Sequence, residues 1–289
     1  MVDTFAAVLR EFFRRCGEQG KPSDILAKTY DLKSAYRQVP IKEEHLQFSF
    51  FCIYNCETGG PEVYQLLTLP FGATHSVYSF LRLARLLYTI ATRGLYLLTT
   101  NFYDDYILAS MPGCVESSKN AMELIFMLTG WQVATDGKST LFDKVCKALG
   151  VEFDLSRSGE RLLAIRNTEQ RIQDLKAMVA STLKSGHLRK NEALMLRGKL
   201  GFADSFLHGR LGALVLKQLS EHAYGRSPNL QKELILALQM MVLRLESSKP
   251  RMVSAEPLAQ WFVYTDAAYD QESKTGGLGA YVVAGLDFR

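Results

Sequence analysis

The stretch that most restricts how this chain can fold is Leu97-Leu98-Thr99-Thr100-Asn101-Phe102-Tyr103-Asp104-Asp105-Tyr106-Ile107-Leu108-Ala109. Two β-prone runs flank a pair of adjacent aspartates. Aromatic and branched side chains favour strands, and Asp favours turns. The pattern predicts a tight β-hairpin with Asp104 and Asp105 at its tip. Adjacent carboxylates repel, so a cation is the expected third party. A solvated Asp-Asp turn on a surface hairpin fits the same run.

The rest of the first half supplies partners for that hairpin. Residues 1–16 have helical periodicity, with Phe5, Val8, Leu9, Phe12 and Phe13 on one side. In Thr29-Tyr30-Asp31-Leu32-Lys33-Ser34-Ala35-Tyr36-Arg37-Gln38-Val39-Pro40-Ile41 a strand is expected to end at Asp31, and 34–38 to form a turn of helix. Asp31 then stands at a strand end or serves as an N-cap. Strands are expected at 46–54 and 63–68, and a helix capped by Thr74 or Ser76 is expected to run to about Thr92, closed by Gly94. A further helix spans 115–129, with Ala121, Leu124, Ile125 and Leu128 inward, and short strands follow at 148–153 and 162–165. Helices returning between antiparallel strands make an α+β, split βαβ layer, with the helices expected on one face of the sheet. In that layer Asp31, Asp104 and Asp105 can converge. Three such carboxylates suit two divalent ions roughly 3.5–4 Å apart and in-line phosphoryl transfer.

Composition narrows the class. In 289 residues, 47% are hydrophobic and 22% charged, as in ordinary globular proteins, and a net charge of +4 does not by itself argue for nucleic acid. The most apolar window, 77–100, carries Arg82, Arg85 and Arg93, so it reads as a buried helix and strand and no membrane association is expected. Five cysteines without zinc-ligand spacing, and no signal peptide, fit reduced thiols inside a cell.

At this point the motifs resemble those of a known family. Tyr30 to Ile41, Leu69-Pro70-Phe71-Gly72-Ala73-Thr74, Phe102-Tyr103-Asp104-Asp105, Gly130-Trp131 through Asp136-Gly137-Lys138, and Leu149-Gly150-Val151 resemble, in order and spacing, five motifs of reverse transcriptases. The second resembles the form found in retroelements of the long-terminal-repeat and tyrosine-recombinase kinds. The resemblance implies an RNA-directed DNA polymerase that adds deoxynucleoside triphosphates to a primer on an RNA or DNA template, as part of a retroelement polyprotein. It implies that Asp31, Asp104 and Asp105 hold two Mg²⁺ ions, or Mn²⁺, with help from the Leu32 carbonyl. It implies that Tyr36 is the aromatic gate under the nucleotide sugar, that Phe71 and Gly72 line the nucleotide pocket, and that Lys138 acts on the pyrophosphate. The family carries a longer fingers segment before its first aspartate. Only 30 residues precede Asp31 here, and Arg14, Arg15, Lys21 and Lys28 match its triphosphate-gripping bases poorly.

Residues 166–248 read as helices, the first started by Thr168 and ended by Ser185-Gly186, the next with an apolar stripe at Ala193, Leu196, Leu200, Ala203, Leu207, Leu211 and Leu214. Gly198, Gly201, Gly209 and Gly212 interrupt that stripe, which predicts close packing or a kink. Pro228 is positioned to open a third helix. From Arg161 to Lys217 there are 11 Lys/Arg against 4 Asp/Glu, an excess of 7. Lys199, Arg210 and Lys217, within a narrow angle on one flank of the stripe, are the candidates to hold duplex phosphates. The final run, Trp261 to Tyr269 and Gly276 to Val283, resembles the first hairpin of a ribonuclease H domain, with Asp266 as its first metal carboxylate. A hairpin alone cannot bury a core or assemble a two-metal site, so no RNA cleavage is expected. The expected layout is palm with incomplete fingers over 1–165, helical thumb and connection over 166–250, and the ribonuclease H start over 251–289. Two alternatives are a non-catalytic relic that still binds nucleic acid and an RNA-templated RNA polymerase, against which Tyr36 and the last hairpin argue.

Overall fold

The computed structural model describes residues 1–134, 141–207, 212–225, 227–247, 249–255 and 261–284. Its first half is built on a three-stranded antiparallel sheet. The strands β1 (Leu26–Asp31), β4 (Leu98–Phe102) and β5 (Asp105–Ser110) lie in the order β1-β5-β4. A separate ribbon, β2 (Phe50–Asn55) and β3 (Gly60–Gln65), projects between β1 and β4 in sequence. Residues 46–48 of the strand expected there lie in a 3-10 turn, Glu43–Phe48.

The expectation of helices on one face of the sheet needs correction. Every residue of β5 after Asp105 is buried, and a strand buried on both sides needs cover on both faces. Tyr30, Tyr106 and Leu108 pack under α2 (Thr74–Thr89) and α3 (Val115–Leu128). Ile25, Ala27, Ile107 and Ala109 face the other way, against Phe5, Leu9 and Phe13 of α1 (Val2–Glu18). That second core also includes the four-stranded sheet β6-β7-β8-β9, formed by Val145–Ala148, Val151–Asp154, Leu162–Asn167 and Arg251–Ser254. The inward face of α3 is Met122, Ile125 and Phe126, while Leu124 and Leu128 are exposed. Ala73, not Thr74 or Ser76, occupies the N-cap of α2, and no side chain caps that helix.

The helical half has its own core, drawn from α4 (Glu169–Ser185), α5 (Lys190–Asp204), α6 (Ala213–Tyr224) and α7 (Lys232–Ser247). Thr168 caps α4 and Gly186, at φ 69°, ends it. Pro228 lies ahead of α7, which starts at Lys232. Of the glycines in the stripe, Gly201 marks a close helix approach, while Gly198 faces open space. A Cβ on Gly201 would meet Leu216 of α6 at 3.4 Å, so α5 and α6 approach closely there. The stripe expected to form one helix is nevertheless split between α5 and α6.

A buried ion pair locks the split. Asp204 accepts from Arg244 Nε at 2.8 Å and from the Gly212 amide at 3.1 Å; Asp204 is buried and Arg244 mostly so. Removing one member of such a pair leaves the other charge poorly compensated, so Asp204→Ala should lose about 3 kcal/mol of stability. Urea denaturation followed by far-ultraviolet circular dichroism measures this. A loss below about 1 kcal/mol, the range of surface pairs, would show that the pair does not hold the helices together.

Two hairpins stand apart from these cores, whereas the segment ahead of the last hairpin does not. Residues 251–254, expected to belong with the last hairpin, instead form β9 on the edge of β8, because that edge offers unpaired backbone groups. The hairpin itself, β10 (Trp261–Asp270) and β11 (Thr275–Ala284), is exposed at every residue from 263 to 282. The β2–β3 ribbon likewise exposes Phe50, Ile53, Tyr54, Val63 and Tyr64. Among the described residues no helix is long and apolar enough to cross a membrane.

Candidate active site

The hairpin tip is a two-residue loop, Tyr103-Asp104, between β4 and β5. Phe102 pairs with Asp105 across it. Tyr103 has φ +55°, a left-handed conformation normally left to Gly, Asn or Asp. Such strain persists only where neighbours hold it, and it is frequent at functional sites. Two fixed contacts hold it here. The Asn101 side-chain Nδ2 donates to the Tyr103 carbonyl at 3.2 Å, and the Leu32 backbone amide donates to the Asp104 carbonyl at 3.2 Å.

That second bond sets the register. With Leu32 bonded to Asp104, Asp31 and Asp105 stand directly opposite each other as a non-hydrogen-bonded pair. This is the pairing that brings cross-strand side chains closest. Two carboxylates opposed in this way are unfavourable for folding. The Asp31 carbonyl accepts from Ala134 at 2.7 Å and Lys33 donates to Gln132 at 2.9 Å, so residues 131–134 extend the sheet beyond β1. Asp31 is thus held from both sides of the chain.

The structure therefore places Asp31, Asp104 and Asp105 at one end of one sheet, all partly buried. No three His, Cys, Asp or Glu side chains among the described residues are grouped closely enough to hold a metal ion. The donor set nevertheless fits Mg²⁺ in kind, since hard carboxylate oxygens are its preferred protein ligands.

Tyr36 lies beside this end. A 3-10 turn, Ala35–Gln38, follows β1 and turns the Tyr36 ring inward, where it is 9% exposed. The ring stacks on Phe80 of α2 with centroids 4.7 Å apart, and Phe71 leans on it at 5.0 Å. Phe71 arrives there because the chain after Tyr36 pairs with the chain before Phe71. Leu69 donates to Val39 at 3.0 Å and Ile41 to Leu67 at 2.9 Å. Burial raises the Tyr36 phenol pKa, and the nearby Tyr103 and Asp104 push it the same way. The phenol therefore stays neutral at ordinary pH. Phe71 is 63% exposed, and Gly72, at φ +88°, has nothing within 4 Å of where a Cβ would stand. Together they form an open rim over the Tyr36 ring.

The other candidates fare differently. Lys138 and Arg210 lie outside the described residues. Lys199 sits on α5, its ammonium 3.5 Å from the Met178 sulfur of α4, whereas Lys217 sits on α6 near Glu221 at 3.7 Å. Lys199 and Lys217 therefore stand on two helices and not on the one continuous helix from which a common flank was expected. Asp266 is on the exposed hairpin, its carboxylate accepting from the Ala267 amide at 2.8 Å. Arg14 and Arg15 pair with Glu11, and Lys28 is buried under α3, 4.1 Å from the Tyr30 ring centroid and 3.7 Å from Glu123. Burial lowers the Lys28 pKa. These bases serve the fold. The Leu149-Gly150 pair, at φ +51° and +68°, forms the turn between β6 and β7. Arg171 of α4 braces that turn, donating to the Leu149 carbonyl at 2.6 Å. Sequence spacing does not reveal this contact, nor the part played by Phe80 and Trp131.

Comparison with known proteins agrees with this geometry at the level of the fold. No family model and no curated protein sequence matches the chain. Solved structures do. The foamy viral protease-reverse transcriptase dRH in complex with ds DNA is similar over 90% of this chain, at 18% identity and a TM-score of 0.59. The foamy viral protease-reverse transcriptase in complex with dsDNA gives 18% identity and a TM-score of 0.58. Its complex with RNA/DNA hybrid gives 15% and 0.59. The fold is reverse transcriptase-like. The chain spans 41%, 49% and 33% of the lengths of those three proteins.

Proposed function

We propose that this chain carries the palm and helical thumb of a reverse transcriptase and extends a DNA primer along an RNA or DNA template. The observation that supports this most is the opposed pair Asp31–Asp105, with Asp104 adjacent in a strained turn, at the end of a sheet with this fold. A fold maintains two facing carboxylates at a cost in stability, which function can explain. The similar structures hold double-stranded DNA and an RNA/DNA hybrid, which suits a primer–template partner for this chain.

In this reading Asp31, Asp104 and Asp105 hold two Mg²⁺ or Mn²⁺ ions. Bound there, such ions would lower the pKa of the primer 3′-hydroxyl and neutralise the leaving pyrophosphate. The chain's own residues do the positioning. Tyr36 supplies a wall under the sugar of the incoming deoxynucleotide, and Phe71 and Gly72 border the pocket. The Leu149–Gly150 turn, braced by Arg171, is positioned to support the primer end. Lys199 and Lys217 add positive charge for the duplex backbone, as Arg210 would, and Lys138 would act on the pyrophosphate. The exposed β2–β3 ribbon belongs to the fingers region, and β10–β11 to the start of a ribonuclease H-like fold within a longer retroelement polyprotein.

Primer extension on an RNA template with Mg²⁺ tests the proposal. Stepwise addition of deoxynucleotides is the expected result. Tight primer–template binding without extension would favour a non-catalytic nucleic-acid binder. Faster addition of ribonucleotides would favour an RNA-making palm.

A further inference from the structure

We propose that Gln38 is a positioning residue for sugar selection, holding the Tyr36 ring in place by clamping the two backbone segments on either side of it. This rests on the reading of Tyr36 as the wall beneath the sugar.

The Gln38 amide makes three short bonds. Its Nε2 donates to the Lys33 carbonyl at 2.6 Å and to the Gln132 carbonyl at 2.9 Å, and its Oε1 accepts from the Gln132 amide at 2.7 Å. The orientation is self-consistent, because an inverted amide would set donors against the Gln132 N–H and its oxygen against two carbonyls. Gln38 therefore pairs with residue 132 as a neighbouring strand would, using both of its peptide groups.

Both ends of the clamp lead to Tyr36. On one side, Lys33 precedes Ser34, a non-glycine residue at φ +54° that starts the 3-10 turn carrying Tyr36. A left-handed serine persists only when its surroundings over-determine it. The bond to the Lys33 carbonyl fixes the peptide entering that turn. On the other side, Gln132 follows Trp131, whose ring meets Phe80 edge-on at 5.8 Å, and Phe80 stacks on Tyr36. The contacts close a circuit from Tyr36 through Phe80, Trp131 and Gln132 to Gln38, two residues from Tyr36. Rings hold Tyr36 on one side, and the Gln38 amide fixes the backbone that leads into its turn on the other.

The side chain requirements are narrow. Leu at 38 keeps the bulk and loses all three bonds. Glu keeps the acceptor facing the Gln132 amide, loses both donations and sets an anion against two carbonyls. The experiment is single-nucleotide primer extension by wild type, Gln38→Leu and Gln38→Glu with dNTP and rNTP. Each variant should narrow the preference for dNTP by about tenfold, the scale of an ångström-sized misplacement, with a smaller change in dNTP incorporation. A purely structural residue would lower both incorporations together and leave the ratio unchanged, and that result overturns the proposal. A wild type that extends no primer overturns the reading of the whole site and this proposal with it. Acrylamide quenching of Trp131 in a Trp261→Phe background reads the clamp without catalysis. Quenching should rise in both variants, and unchanged quenching shows that Gln38 does not hold the circuit.

Discussion

Asp31→Asn and Asp105→Asn should each abolish nucleotide addition while leaving the fold at least as stable as wild type. The two effects share one cause. The carboxylates oppose each other on neighbouring strands, where like charges disfavour folding by roughly 0.2–1 kcal/mol. Neutralising either one relieves that repulsion. For a protein of this size the gain corresponds to a rise in melting temperature of about 0.4–4 °C without divalent ions. The same neutralisation removes a ligand from the proposed ion pair. Ions in such sites contribute several kcal/mol to transition-state stabilisation, so the rate should fall by at least about a thousandfold. Differential scanning calorimetry with and without Mg²⁺, beside primer extension, measures both. Mg²⁺ should raise the wild-type melting temperature and have less effect on either variant, since only binding to the folded state stabilises it. A variant that extends primer at near wild-type rate would remove that aspartate from the site. A variant that loses activity only because it unfolds would show that the pair is structural.

Tyr36→Val should admit ribonucleotides. The Tyr36 ring is buried between Phe80 and Phe71 at 4.7 Å and 5.0 Å, near enough to Asp104 for that charge to raise its phenol pKa, and in the proposed reading it is the wall beneath the incoming sugar. A wall distinguishes a 2′-hydroxyl from a 2′-hydrogen by volume, and such pockets discriminate by roughly 10–200-fold. Shortening the wall should raise ribonucleotide incorporation by about that factor, with a smaller loss for deoxynucleotides. Removing the ring also costs packing, about 2–3 kcal/mol by analogy with large-to-small core substitutions. Tyr36→Phe separates the two effects. It keeps the ring and the stack on Phe80 and drops only the neutral hydroxyl. Its sugar preference should match wild type. Equal discrimination by Tyr36→Val and wild type would assign Tyr36 to packing alone.

The chemistry-bearing local structure was legible in the residues. The 97–109 run specified a hairpin because its strand and turn propensities alternate within a dozen residues, and no distant contact is needed to read that. The same holds for a strand ending at Asp31, for the turn carrying Tyr36, for helix α1 and for the Thr168 and Gly186 ends of α4. Contacts between segments distant in sequence were decided only by the tertiary structure. The opposition of Asp31 and Asp105 depends on a register, and a register shifted by one residue would put one of them on the other face. Burial of the sheet on both faces depends on α1 and the second sheet closing over it. The break between α5 and α6 depends on Asp204 reaching Gly212 and Arg244. Gln38 looked like any polar residue in a motif, because its partner lies 94 positions away and backbone carbonyls leave no mark in a sequence. Local propensity acts over a few residues and is written in the side chains. Register, two-sided burial and side-chain clamps arise when distant segments meet, so only the folded chain determines them.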